Sequence, residues 1–216
     1  MPNHEDGALE LRDVSLSIKG APLFAPLSIT VHPGHATTVM GPSGCGKSSL
    51  LAYICGTLEA VFETRGDILL SGADLTLFPP EKRQVGILFQ DDLLFPHLSV
   101  GDNLAFGLSP KIRGRAQRRR LIEDALTNVD LAGMSDRDPA TLSGGQRARI
   151  ALMRTLLSEP RALLLDEPFS KLDTDLQVHV REFVFAHARA NAIPTLLVTH
   201  DPADAKAADG TVVELV

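Results

Sequence analysis

Gly41-Pro42-Ser43-Gly44-Cys45-Gly46-Lys47-Ser48 constrains this chain more than any other stretch. It matches the glycine-rich phosphate-loop pattern, in which backbone N–H groups wrap phosphates, a lysine neutralises their charge and a hydroxyl reaches a magnesium ion. The pattern needs a strand before it and a helix after it. Ala36–Met40 is a short apolar run, and Lys47–Cys55 has helical character, so the order is strand, loop, helix.

A second element belongs to the same chemistry. Ala162-Leu163-Leu164-Leu165 is apolar and runs directly into Asp166 and Glu167. Ligands of open α/β sheets collect at the carboxyl ends of the strands, so this strand would deliver two carboxylates to bound phosphates. Asp166 is expected to hold the Mg²⁺ shell, and Glu167 to polarise a water for attack on the terminal phosphate. An Asp-Glu pair after a buried strand is, by itself, more often a solvated turn; the phosphate loop is what reverses that reading.

Leu142-Ser143-Gly144-Gly145-Gln146 stands where a helix is expected to begin, with Ser143 as its N-cap. A capped helix start carrying two glycines is a second anion site, because its free N–H groups and positive dipole end favour phosphate. One chain thus offers two phosphate sites.

The rest of the chain frames these motifs. Leu9, Leu11, Val14, Leu16 and Ile18 alternate with polar residues, as do Leu27, Ile29 and Val31, which predicts antiparallel strands. Short apolar runs at Ile68–Leu70, Val85–Phe89, Ala162–Leu165, Thr195–Thr199 and Thr211–Val213 predict a mainly parallel, buried sheet. From about Asp91 to Ser158 the pattern becomes helical, with helices expected at Arg115–Val129 and Ser143–Leu157. The fold class is therefore α/β: a phosphate-loop NTPase core, with its mainly parallel sheet flanked by helices, an N-terminal antiparallel part and a helical subdomain. Residues 1–216 are expected to form a single domain, with 1–90 and 159–216 as the nucleotide-binding core and 91–158 as the helical part.

A net charge of −6 argues against a general affinity for nucleic acid. The acidic start, with Glu5, Asp6 and Glu10, is no secretory leader, and no run approaches the roughly 18 apolar residues of a membrane helix. Any membrane attachment must come through another protein. The two cysteines are too few for a disulfide framework, which suits a reducing cytosol.

Taken together, Gly41–Ser48, Leu142–Gln146 and the strand ending at Asp166 resemble the ATP-binding subunit of ABC transporters, and the likeness extends along essentially the whole chain. The resemblance implies a head-to-tail pair of protomers, each ATP held between Gly41–Ser49 of one and Ser143, Gly144, Gly145 and Gln146 of the other. It implies that Gln90 contacts Mg²⁺ and the attacking water, that Asp173 belongs to the loop between protomers, and that His200 contacts the γ-phosphate. Magnesium would then meet Ser48, Gln90 and Asp166, and catalysis would rest on Glu167, His200 and Gln90. Two departures stand out. Ile18 occupies the position where the family usually stacks an aromatic ring on adenine, with Phe24 the nearest aromatic. Lys171 replaces the small residue usual beside Asp173.

Ile87–Pro96, Asp138–Thr141 and Phe169–Asp173 resemble bacterial importer ATPases, nearest to a YnjD-like branch. This implies two transmembrane permease subunits, an extracytoplasmic solute-binding protein, and attachment to the cytoplasmic side of the inner membrane. Leu93–Phe95 is then either core packing or part of a groove for the permease. The chain ends soon after His200, so the regulatory domain that many importer ATPases carry is not expected. A soluble ABC ATPase serving iron–sulfur cluster assembly is the alternative. Lys111–Arg120 holds six cations in ten residues and no aromatic ring, which fits a solvated helix start, lipid headgroups or a partner's acidic loop.

Overall fold

The computed structural model describes residues 7–215; Glu5 and Asp6 of the acidic start lie outside them. The chain divides into two compact units, one of residues 1–87, 161–167 and 184–216, the other of residues 88–160 and 168–183.

The first unit carries two sheets. In the antiparallel one, β1 (Leu9–Ile18) is central: it pairs with β2 (Ala21–Pro22), β3 (Leu27–Val31) and β5 (Phe62–Leu70), and β5 continues to β6 (Ala73–Asp74). The register of β1 slips between Arg12 and Ser15, with Asp13 at φ 50. Opposite the slip, Gly66 has φ +83, and a Cβ there would lie 2.4 Å from the Arg12 carbonyl oxygen. Only glycine lets the two backbones approach this closely.

The second sheet has the order β10 (Thr211–Glu214), β4 (Ala36–Met40), β9 (Thr195–Val198), β8 (Ala162–Asp166), β7 (Val85–Leu88). The pairs β10–β4, β4–β9 and β8–β9 are parallel. Strands β8 and β9 are buried along their whole length, as expected of parallel strands covered on both faces. Helix α1 (Lys47–Cys55) joins the core through Leu50, Leu51 and Ile54, against Leu9, Leu11, Leu70, Leu164 and Leu196. The short α2 (Pro80–Arg83) precedes β7, and α7 (Pro202–Ala208) follows β9.

One expectation is corrected here. Ile68–Leu70 does not lie in the parallel sheet: it ends β5, with Leu70 opposite Leu9 and Ile68 opposite Leu11 in the antiparallel one. The physical reason lies just upstream, where Glu63, Arg65 and Asp67 require a solvated face. Phe89 and Thr199 also fall beyond the ends of their strands.

The second unit is built on α3 (Val100–Gly107), α4 (Arg115–Thr127), α5 (Gly144–Leu156) and the first part of α6 (Thr174–Ala190). Helix α3 packs on α4 and α5, burying Val100, Leu104, Ile122, Leu126, Ile150 and Met153. Ser99 caps α3 by accepting from the Asp102 N–H.

Buried Asn103 fixes the loop ahead of α3. Its Oδ1 accepts from the Phe95 N–H at 2.8 Å, and its Nδ2 donates to the Phe95, Leu98 and Ser99 carbonyls. Asn103→Ala removes the side-chain partner of the Phe95 N–H and the Leu98 carbonyl, while the Phe95 and Ser99 carbonyls keep backbone donors, and should cost about 2 kcal/mol of stability. Chemical denaturation would show a lowered midpoint with the slope unchanged; an unaltered midpoint would mean that the loop holds itself.

Candidate active site

The phosphate loop leaves β4 and enters α1. Gly44 and Gly46 have φ 81 and φ 96, in the left-handed region that glycine tolerates best. A Cβ on Gly46 would come within 3.1 Å of the Phe24 ring. Helix α1 has Gly46 as N-cap, no side-chain cap and no acidic residue in its first turn. Its first N–H groups are thus left to an anion, which the positive end of the helix favours.

Buried Lys47 folds back over the loop, donating from Nζ to the Gly41 and Pro42 carbonyls, both at 2.8 Å. Cys45 Sγ lies 3.8 Å from the same nitrogen. The Ser48 hydroxyl neighbours Asp166 at the end of β8. Burial pushes the Asp166 carboxyl above its usual range, and the Glu167 charge acts in the same direction; the Ser48 hydroxyl and the Lys47 charge oppose the shift.

Glu167 has φ 47, unusual for a residue with a side chain, and its N–H donates to the Val198 carbonyl at 2.9 Å. That bond ties the turn after β8 to the end of β9. His200 follows Thr199 just beyond the end of β9, with Nδ1 3.0 Å from Glu167 Oε1. The imidazole is 70% exposed and the Glu167 side chain 22%, so the pair faces an open approach.

Residues outside every motif brace the turn that carries His200. The Thr199 hydroxyl donates to buried Asp204 at 2.7 Å and accepts from the Asp201 N–H at 3.0 Å. Asp201 caps α7 by accepting from Ala203, with Pro202 in the first turn. Asp-Pro at a helix start was the available signal. In the first unit, then, Lys47, Ser48, Asp166, Glu167 and His200 come together at the ends of β4, β8 and β9.

Phe24 is 4% exposed and backs Gly46, so its ring offers no open face; Ile18 ends β1 half-buried.

The other expected residues belong to the second unit. Gln90 is exposed just beyond β7. Ser143 and Gln146 form a reciprocal cap: Ser143 Oγ accepts from the Gln146 N–H at 3.3 Å, and Gln146 Oε1 from the Ser143 N–H at 2.9 Å. A Cβ on Gly145 would lie 3.1 Å from the Lys171 carbonyl oxygen. Exposed Asp173 starts α6, its carbonyl accepting from the Gln177 N–H at 2.9 Å.

Leu93 and Phe106 are 59% and 69% exposed, so Leu93 is not core. The Phe95 and Phe106 rings meet edge to face at 4.7 Å, with the Arg154 guanidinium 5.3 Å from the Phe95 ring centre. This is an apolar patch with a cation at its edge. In the basic run, Arg118 donates to the Ala105 and Ile112 carbonyls, so one of its six cations serves the fold.

The family model described as ABC transporter matches residues 24–170. The chain is 47% identical to the uncharacterized ABC transporter ATP-binding protein YnjD of Escherichia coli (strain K12), over 92% of this chain and 93% of that protein. It is 37% identical to the Fe(3+) ions import ATP-binding protein FbpC of Mannheimia succiniciproducens, covering 99% of this chain but only 60% of that longer protein. Among solved structures, a dimeric post-hydrolysis state of the ATP-binding cassette MJ0796 bound to ADP and Pi superposes with a TM-score of 0.83 at 23% identity. That match covers 96% of this chain and 94% of the other, and it bears out the expected α/β architecture. With its phosphate loop, strand-end carboxylates and capped signature turn, this chain belongs to the ABC transporter family, in its ATP-binding class.

Proposed function

We propose that the chain binds ATP with Mg²⁺ at the Gly41–Ser49 loop, hydrolyses it, and thereby drives a bacterial transporter of the importer kind. The observation that carries this is the convergence of Lys47, Ser48, Asp166, Glu167 and His200 at the ends of neighbouring parallel strands. Lys47 donates to two carbonyls and, weakly, to the Cys45 sulfur, and a phosphate oxygen would take the place of that sulfur. Glu167 accepts a proton from water, and the His200 ring holds the carboxylate in place.

Magnesium fits the residues present. Asp166 is a buried carboxylate beside the Ser48 hydroxyl, and oxygen donors of this kind are what a hard divalent cation prefers. Ser48 and Asp166 would hold the ion, joined by Gln90, and it would neutralise phosphate charge as the bond to the γ-phosphorus breaks.

Ser143, Gly144, Gly145, Gln146 and Asp173 would meet the nucleotide held by a second copy of the chain, so that ATP closes the pair. The patch of Leu93, Phe95 and Phe106 would receive permease subunits, with an extracytoplasmic binding protein delivering solute. That arrangement places the chain at the cytoplasmic face of the inner membrane. None of the described helices is long and apolar enough to cross a membrane. The names of several relatives favour import over cluster assembly: Fe(3+) ions for FbpC, spermidine and putrescine for the PotA of Frankia alni. We also read residues 1–90 and 159–216 as the nucleotide-binding core and 91–158 as the helical part of one ATPase domain.

Asp166→Asn tests the metal role. The folded pKa of Asp166 is raised, so ionising it opposes folding as pH climbs above the normal carboxylate value. The neutral amide removes that opposition. The variant should melt higher than the parent at pH 7 without nucleotide, yet hydrolyse ATP-Mg more slowly by on the order of a hundredfold. Parental turnover in the variant would remove Asp166 from the metal site.

A further inference from the structure

Lys171 brings a positive charge to a turn that the family usually builds with a small residue. Its Nζ lies 3.2 Å from Asp91 Oδ1 and 3.6 Å from Asp92 Oδ1. The two carboxylates differ: Asp91 is 85% exposed, Asp92 only 13%. Asp92 Oδ1 is buried and accepts no hydrogen bond, so the lysine charge is its compensation. The other oxygen, Oδ2, accepts from Arg147 Nε at 2.8 Å, and Arg147 Nη1 donates to the Leu142 carbonyl at 2.8 Å. Arg154 fastens the same segment from below, donating to the Leu93 and Asp92 carbonyls.

Three motif segments therefore meet at one carboxylate: the turn before Asp173, the stretch after Gln90, and the turn that opens α5. All lie in the second unit. We infer that Lys171 is a positioning residue for ATP hydrolysis, acting through Asp92 and Arg147 to hold Gln90, Ser143–Gln146 and Asp173 in one register. This rests on the ATPase reading above. An exposed ion pair alone has little leverage. The leverage here comes from Asp92, which without Lys171 keeps Arg147 on one oxygen but leaves the other buried with no partner, and so turns to expose it. That movement loosens both neighbouring turns.

The test compares Lys171→Met, Lys171→Arg and Asp91→Asn with the parent chain, by amide hydrogen exchange without nucleotide and by steady-state phosphate release. Lys171→Met should speed exchange in 90–93 and 142–147 about fivefold and leave 41–48 unchanged. Its kcat should fall about fivefold with the KM for ATP within about twofold, because the phosphate loop is untouched. Lys171→Arg restores both, and Asp91→Asn behaves like the parent. Unchanged exchange in Lys171→Met, or a loss that arginine does not restore, overturns the inference. A parent chain that releases no phosphate overturns the functional reading instead; the exchange comparison still decides whether the tie exists.

Discussion

Glu167→Gln lowers ATP turnover by about three orders of magnitude and leaves ATP binding within about twofold, the magnitude expected when a positioned general base is removed. The substitution keeps the shape of the site. The Glu167 backbone is fixed by its bond to the Val198 carbonyl, and a glutamine oxygen can still accept from the His200 Nδ1–H at the 3.0 Å seen for the carboxylate. The charge proposed to draw a proton from the attacking water is what disappears. Binding persists because Lys47 and the loop N–H groups are unaltered. If the pair closes on ATP as proposed, the variant accumulates as a dimer in ATP-Mg, which size-exclusion chromatography with light scattering would register. Parental phosphate release from Glu167→Gln would assign the base elsewhere.

Lys47→Ala raises the Kd for ATP by about two orders of magnitude, since one charge-assisted phosphate contact of this kind carries some 2–3 kcal/mol. The ammonium bridges the Gly41 and Pro42 carbonyls at 2.8 Å each, so it organises the loop as well as neutralising the ligand. Titration calorimetry would measure the loss, and a circular dichroism melt would separate it from unfolding. Binding at parental affinity in a folded variant would place the nucleotide elsewhere.

The contrast between legible and hidden features follows from range. Gly41–Ser48 and the strand into Asp166-Glu167 are local patterns whose chemistry is written in consecutive residues. The Ser143–Gln146 cap is likewise complete within four residues, and the structure shows both halves of it. Ile68–Leu70 misled because three apolar residues fit a buried parallel strand equally well; the alternation from Phe62 onward marks a strand with one wet face. The tie of Lys171 to Asp91 and Asp92 joins residues about eighty apart, a pairing that no local period announces. Thr199 and Asp204 are close in sequence, but a hydroxyl–carboxylate pair has no signature until burial isolates it.

The most direct test is to tag the Glu167→Gln chain, solubilise its host's membranes in ATP-Mg and identify by mass spectrometry what co-purifies. A protein with several membrane-spanning helices should be recovered, retained in ATP and released by Phe106→Asp, which puts a charge into the exposed patch of Leu93, Phe95 and Phe106. Recovery of soluble assembly proteins alone, with the chain absent from membranes, would contradict the importer reading.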